Sequence, residues 1–170
     1  MPTSLTALGG LALGEIRYNG LWTDDPTLQS FLDSRDSAWD DFQTVTPERV
    51  GAAAVSNTII NISWTPISYT GDTGGYRVYY GTTPSGPYTF FNQTADKSVS
   101  LMEVTGLDAG TPYYFVVQTR TDAHGDQQNI VNSEYSSEVS ASTMVNISGT
   151  ITAGGSPLAG VVMTGLPGSP

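Results

Sequence analysis

Hydrophobic and polar residues alternate with a period of two over two stretches in the middle of the chain, and the remaining elements are arranged around them. Ile60, Ile62 and Trp64 interleave with Ile59, Asn61 and Ser63; after a polar loop, Tyr76, Val78 and Tyr80 interleave with Arg77 and Tyr79. A strand turns successive side chains to opposite faces, so each stretch predicts a strand with one buried face. Val50 to Val55, Tyr88 to Phe91, Ser98 to Val104, Pro112 to Thr119 and Ser136 to Thr143 add further short strands, separated by Gly, Pro, Asn and Asp turns. Seven strands so spaced predict a mainly β chain built as a two-sheet sandwich.

The alternation stops at both ends. Asp25 is a good helix N-cap, Pro26 suits the first helical position, and Leu28, Phe31 and Leu32 share one face, which predicts a short helix. Upstream, Leu11, Ile16, Asn19 and Leu21 follow the leucine-rich-repeat line, with Gly14 where a leucine belongs. In that line the apolar residues fill a solenoid core and the asparagine bonds the backbone at the turn; a single repeat cannot bury its own face, so this reading makes the segment the last turn of an array. Residues 1 to 14 also suit a signal-peptide core, except that no basic residue precedes the apolar part. At the other end, Val145 to Thr152 and Leu158 to Thr164 flank an Ala-Gly-Gly-Ser-Pro turn and read as a hairpin. A hairpin alone is marginal in water, so it must pair with the sandwich, pair with a neighbouring chain, or belong to a larger domain. The expected organisation is a cap-like segment over 1–45, a sandwich over 46–143 and an incomplete β module over 144–170.

Composition narrows the role. Six Lys and Arg stand against sixteen Asp and Glu, for a net charge of −10. Phosphate binding rests on cationic contacts, so nucleic acid and anionic membranes are poor partners. There is no cysteine, which excludes disulfides and thiolate metal sites. Ser and Thr total 40 while charged residues make up 13%, a balance that points to an exported or cell-surface protein. No apolar run is long enough to span a bilayer.

Several motifs, taken as a set, resemble a fibronectin type III domain over about residues 46 to 143. They are Trp64 after its alternating strand, Tyr76-x-Val78-x-Tyr80, Leu107-Asp-Ala-Gly-Thr-Pro-Tyr113-x-Phe115-x-Val117, and Ser133-Glu-Tyr-Ser-Ser-Glu-Val139. The resemblance implies that Trp64 is central core and that Tyr113 makes a corner hydrogen bond to the loop before it; Tyr76, Val78 and Leu107 complete the expected core. It also implies a binding or spacer module and no catalyst. The stretch from Asn19 to Phe42 resembles the terminal cap that follows bacterial leucine-rich repeats, and the C-terminal hairpin resembles the opening of a carboxypeptidase-regulatory-like, prealbumin-type domain. Cell-binding members of the fibronectin family use the loop before the last strand. Here that loop spans 122 to 132 and carries His124-Gly-Asp126 where an attachment sequence would have Arg-Gly-Asp. Integrin-type adhesion has no support, and the loop is either a contact site at His124 and Asp126 or simply solvated.

Candidate chemistry is sparse. His124 is the single histidine and has no nucleophile motif near it, so it reads as an exposed loop residue, with no catalytic site and no cofactor expected. Asp24, Asp25, Asp33, Asp36, Asp40 and Asp41 could hold calcium, but their spacing fits no known loop and equally suits helix caps and an acidic face, so no metal site is assigned. Asn61, Asn92 and Asn146 open glycosylation sequons, with Asn61 expected to point outward. Tyr79, Phe90 and Phe91 are sugar-stacking candidates or sheet packing. The expectation that follows is a non-enzymatic extracellular structural protein whose terminal segments join other copies of itself into a surface filament, glycans being further partners. The alternative is a spacer or carbohydrate-contacting accessory fragment of a larger secreted adhesin or polysaccharide-degrading enzyme.

Overall fold

The computed structural model describes residues 16–145, together with strand segments at 152–153 and 156–157. Strands β1 (Glu48–Ala54), β2 (Ile59–Thr65) and β5 (Leu101–Thr105) form one antiparallel sheet in the order β1-β2-β5. The other sheet is built from β3 (Gly74–Gly81), β4 (Thr89–Gln93) and β6 (Pro112–Thr121), with β7 (Val131–Asn132) and β8 (Val139–Ser142) both on the free side of β6. The chain is therefore a mainly β sandwich with one short helix, α1 (Pro26–Asp33). No helix among the described residues is long and apolar enough to cross a membrane.

Strand alternation decides what the sandwich encloses. Ile60, Ile62 and Trp64 from β2, Tyr76 and Val78 from β3, and Tyr113, Phe115 and Val117 from β6 make one buried cluster, with Leu107 from the β5–β6 turn. Trp64 and Tyr76 touch across the two sheets with ring centroids 5.1 Å apart. The polar tips of these aromatics are satisfied: Trp64 Nε1 donates to the Val99 carbonyl at 2.9 Å, and Tyr76 Oη donates to the Lys97 carbonyl at 3.1 Å. Tyr113 Oη accepts from the Asp108 N–H at 3.0 Å, closing the corner between the sheets.

The last strand departs from the expected continuous run over 136–143. Between β7 and β8 the regular ladder to β6 breaks: Ser133 N and Ser136 N still donate to the Thr119 and Val117 carbonyls at 2.9 Å, but the return bonds go to the two serine side chains. Ser133 Oγ accepts from Thr119 N and Ser136 Oγ from Val117 N, each at 3.0 Å. Hydroxyls bond backbone where the chain bulges, so buried N–H groups of β6 stay paired while Glu134 and Tyr135 face outward. The sandwich consequently has eight strands where seven were expected.

The N-terminal segment carries a second, smaller core. The Asp25 carboxylate accepts from Thr27 N at 2.8 Å and from Leu28 N at 3.4 Å, which caps α1 as its sequence predicts. Leu28 and Leu32 pack with Trp39 against Ile16, Leu21 and Phe31. Asn19 Nδ2 donates to the Arg17 carbonyl at 2.7 Å, a local turn bond that does not by itself show a leucine-rich repeat, and Leu11 and Gly14 of that reading lie outside the described residues. Of the C-terminal module, a two-residue antiparallel pairing of β9 (Thr152–Ala153) with β10 (Ser156–Pro157) is described; the remainder of that hairpin lies outside the described residues, as does Asn146.

Candidate functional site

The end of the sandwich where β2 passes to β3 and β6 to β7 gathers the polar and aromatic residues with unusual surroundings. Gly74 brings these elements together: at φ 150° it sits so close to β6 that a Cβ would lie 2.1 Å from the Arg120 carbonyl oxygen. From the β2–β3 loop come Tyr69 and Asp72, from the β4–β5 loop Lys97, and from the β6–β7 loop His124 and Gln127. Against them lie Tyr18 and Phe42 of the N-terminal segment. Tyr18 is the centre of an aromatic cluster, with ring centroids 5.3 Å from Phe42, 5.9 Å from Tyr69 and 5.2 Å from His124.

Hydrogen bonds fix the same contact. Gln127 Nε2 donates to the Tyr18 carbonyl at 3.2 Å and to Asn19 Oδ1 at 3.3 Å. Thr44 N donates to the Asn19 carbonyl at 2.6 Å, and the hydroxyls of Thr44 and Thr121 meet at 2.7 Å. Thr121 Oγ1 also accepts from Lys97 Nζ at 3.1 Å. The loop folds tightly to do this, with His124 N donating to the Gln127 carbonyl at 2.7 Å.

Lys97 is fully buried, its ammonium 3.7 Å from the centroid of the Tyr69 ring. Burial holds this lysine down at about 8, partly offset by Asp72 and Asp122. Tyr69 is pushed well above the usual phenol range by burial and by the hydrogen bond its hydroxyl donates to Asp72. His124 was expected to be an exposed loop residue; its side chain is 11% exposed, because Tyr18 from a distant part of the chain covers it. Its Nε2 is buried without a hydrogen-bond partner, 3.7 Å from Asp72 Oδ2, and its Nδ1 accepts from Asp126 N at 3.4 Å. Asp126 stays exposed.

The other sequence candidates are scattered. Asp25 is spent on the α1 cap, Asp33 accepts from Trp39 Nε1 at 2.9 Å, and Asp36 binds Arg17 at 2.5 and 2.7 Å, which holds its carboxyl below the usual range. No three His, Asp or Glu side chains converge on a cation position among the described residues. Asn61 lies half-buried in the central strand β2, its Oδ1 shut from solvent and unbonded, whereas Asn92 is exposed. Tyr79 is covered on the outer sheet face by Phe90 and Tyr135, at 5.5 and 5.1 Å between centroids. Phe91 turns inward against Tyr80 and the core, so it has no face to offer a sugar. Sequence reasoning missed Tyr18, Phe42, Tyr69 and Gln127, since their significance lies in pairings across the chain and no local pattern marks them.

The model of the fibronectin type III domain matches residues 45–134, slightly more than half the chain. The chain belongs to the fibronectin type III family. The match ends at Glu134, in the bulge, but the fibronectin sandwich continues to Ser142 because β8 pairs with β6. No curated protein matches the sequence. Among solved structures, a Fn3-like protein from Clostridium thermocellum is similar at 21% identity with a TM-score of 0.46, over 62% of this chain and 98% of its own. The FN1-FN3 domains of chicken CNTN1 match at 16% identity and a TM-score of 0.48, over 59% of this chain and 32% of theirs. A beta-1,2-glucanase from Parabacteroides distasonis matches at 21% identity and a TM-score of 0.43, over 61% of this chain and 13% of its own. The fibronectin type III fold is generally non-catalytic and commonly serves as a structural or accessory module.

Proposed function

We propose that this chain is a non-catalytic structural module of an exported protein, in which the loop end of the fibronectin sandwich serves as the seat for the N-terminal segment. The observation that carries this reading is the insertion of Tyr18 among Phe42, Tyr69 and His124, reinforced by the bonds from Gln127. The loop available for ligands in cell-binding relatives is here engaged by the chain itself, and a segment so held keeps a set orientation to the sandwich. The high Ser and Thr content, low charge fraction and absence of cysteine support export. Hydrogen exchange of the double variant Tyr18→Ser, Gln127→Ala tests it: faster exchange over residues 16 to 44, with β2, β3 and β6 still protected, is the expected result. Unchanged exchange in the N-terminal segment would overturn the seating role.

A second reading, self-assembly into a filament, is favoured by the opposite end of the sandwich. Met144 and Val145 are 51% and 65% exposed there, beside Val55 at 45%. These residues lie together, since Met144 N donates to the Ser56 carbonyl at 3.0 Å. An apolar end that meets a different surface on the next copy makes a head-to-tail contact, which does not close and so grows. Sedimentation of the Met144→Asp, Val145→Asp variant beside the parent protein tests this. Polymers that persist in the variant would remove this end from the contact.

A further inference from the structure

A groove of about 780 Å³ runs between the N-terminal segment and the edge of the sandwich. Trp22 and Tyr135 both line it, Tyr135 turned outward between β7 and β8 with its ring also against Tyr79 and Tyr88. The linker into β1 makes the floor, fixed across the groove by Thr46 Oγ1 donating to the Glu134 carbonyl at 3.3 Å. The groove continues into a recess of about 140 Å³ that shares Trp22 and Glu134 with it.

Two features make this more than a seam. Trp22 is 59% exposed and Tyr135 46%, whereas Trp39 and Trp64 are 1% and 4% exposed. The start of β1 also departs from a regular strand, with a shift of register between Glu48 and Gly51 and a left-handed Arg49 at φ 51°. Positive φ in a non-glycine residue is uncommon, and bulges re-aim side chains beside functional sites. Here the irregularity places Glu48 and Arg49 on the groove lining, near Glu134.

The lining selects among ligand classes. Two exposed aromatic side chains with two carboxylates and one guanidinium on the same lining suit a molecule with an apolar face and a polar rim, which is the character of a pyranose ring. A peptide strand needs an unbroken row of backbone N–H and C=O groups, and the bulge at Glu48 to Gly51 interrupts it. Anionic ligands face two carboxylates against one guanidinium, on a chain of net charge −10. We propose that this groove is a binding site for a neutral oligosaccharide, stacked on Trp22 and Tyr135 with its hydroxyls on Glu48, Arg49 and Glu134. This moves the sugar contact away from Phe90 and Phe91 and rests on the N-terminal seating, since Trp22 belongs to that segment; hydrogen exchange over residues 16 to 44 reports the seating separately from sugar binding.

Trp22 is the one exposed tryptophan of the three, so its emission reports on the groove directly. The test titrates the full chain with cellohexaose, xylohexaose, mannohexaose and laminarihexaose, following tryptophan emission and acrylamide quenching, with calorimetry in parallel. Binding of at least one of these gives a saturable blue shift and protection from quenching. Trp22→Ala and Tyr135→Ala each weaken it by about tenfold or more by calorimetry, while Phe90→Ala leaves it unchanged. Near-ultraviolet dichroism from the buried tryptophans checks that each variant is folded. The proposal is overturned if none of the four probes saturates, if Trp22→Ala retains full affinity, or if a heparin hexasaccharide binds more tightly than every neutral probe. A blue shift that grows with protein concentration alone would assign the groove to a second copy and equally overturn it.

Discussion

At the scale of single residues, the informative positions are those where a polar group enters an apolar surrounding. Among the described residues no carboxylate pairs with Lys97; a tyrosine ring and a threonine hydroxyl replace the water it gives up. Its folded value of about 8 lies below the ordinary 10.5. Between those values the folded chain holds fewer protons than the unfolded chain, so stability rises with pH through that window and the full cost is felt below it. Urea midpoints of the parent protein should therefore climb from pH 7.5 to pH 9, where tyrosines of the unfolded chain are still mostly protonated, and Lys97→Met should flatten that climb while raising the midpoint at pH 7. A midpoint independent of pH in the parent would contradict the burial of this charge. Tyr113→Phe removes the acceptor of the Asp108 N–H and should cost about 1 kcal/mol in the same measurement. Asn92, exposed, should carry a glycan in a glycosylating host where Asn61 stays bare, a difference that peptide mass spectrometry reads directly.

At the scale of elements, the interrupted last strand carries the most specific consequence. Ser133 and Ser136 each satisfy a buried N–H of β6. Replacing either with alanine leaves that donor unpaired, at a cost of about 1–3 kcal/mol, and thermal unfolding of Ser136→Ala and Ser133→Ala measures it. Alanine variants as stable as the parent would show that water or a shifted backbone takes the place of the hydroxyl. The motif Ser133-Glu-Tyr-Ser136 was legible as part of a family pattern, but its action was not. A bulge exchanges the alternation of a strand for side-chain bonds, and periodicity does not report that exchange. Helix α1 is the opposite case, since its cap at Asp25 and its face of Leu28 and Leu32 depend on neighbours within one turn.

At the scale of the whole molecule, charge and apolar surface oppose each other. Copies bearing −10 repel at low ionic strength, whereas the end formed by Val55, Met144 and Val145 favours contact. Salt screens the first and leaves the second largely intact. If copies join through that end, light scattering at pH 7 should increase with added sodium chloride and again as the pH falls toward the isoelectric point near 4.1. Scattering that decreases with salt would mean that ion pairs hold the copies together.

The sequence by itself determined the sandwich and much of its core. Ile60, Ile62, Trp64, Tyr76 and Val78 sit at alternating positions, and a period of two has one solution when one face must be buried. It also determined α1, whose signals are local. What it could not contain is where distant segments meet. Tyr18 lies more than a hundred residues from His124, and Gln127 reads as one polar loop residue among several. Only the folded chain makes one the lid on the loop end and the other its fastening. Trp22 was likewise an ordinary member of the N-terminal stretch, and Tyr135 one position of the family motif just before the expected last strand. That both stand exposed on the lining of one groove follows from the bulge at Ser133 to Ser136 and from the path of the linker. Tertiary packing decides both, because neither leaves a trace in local periodicity.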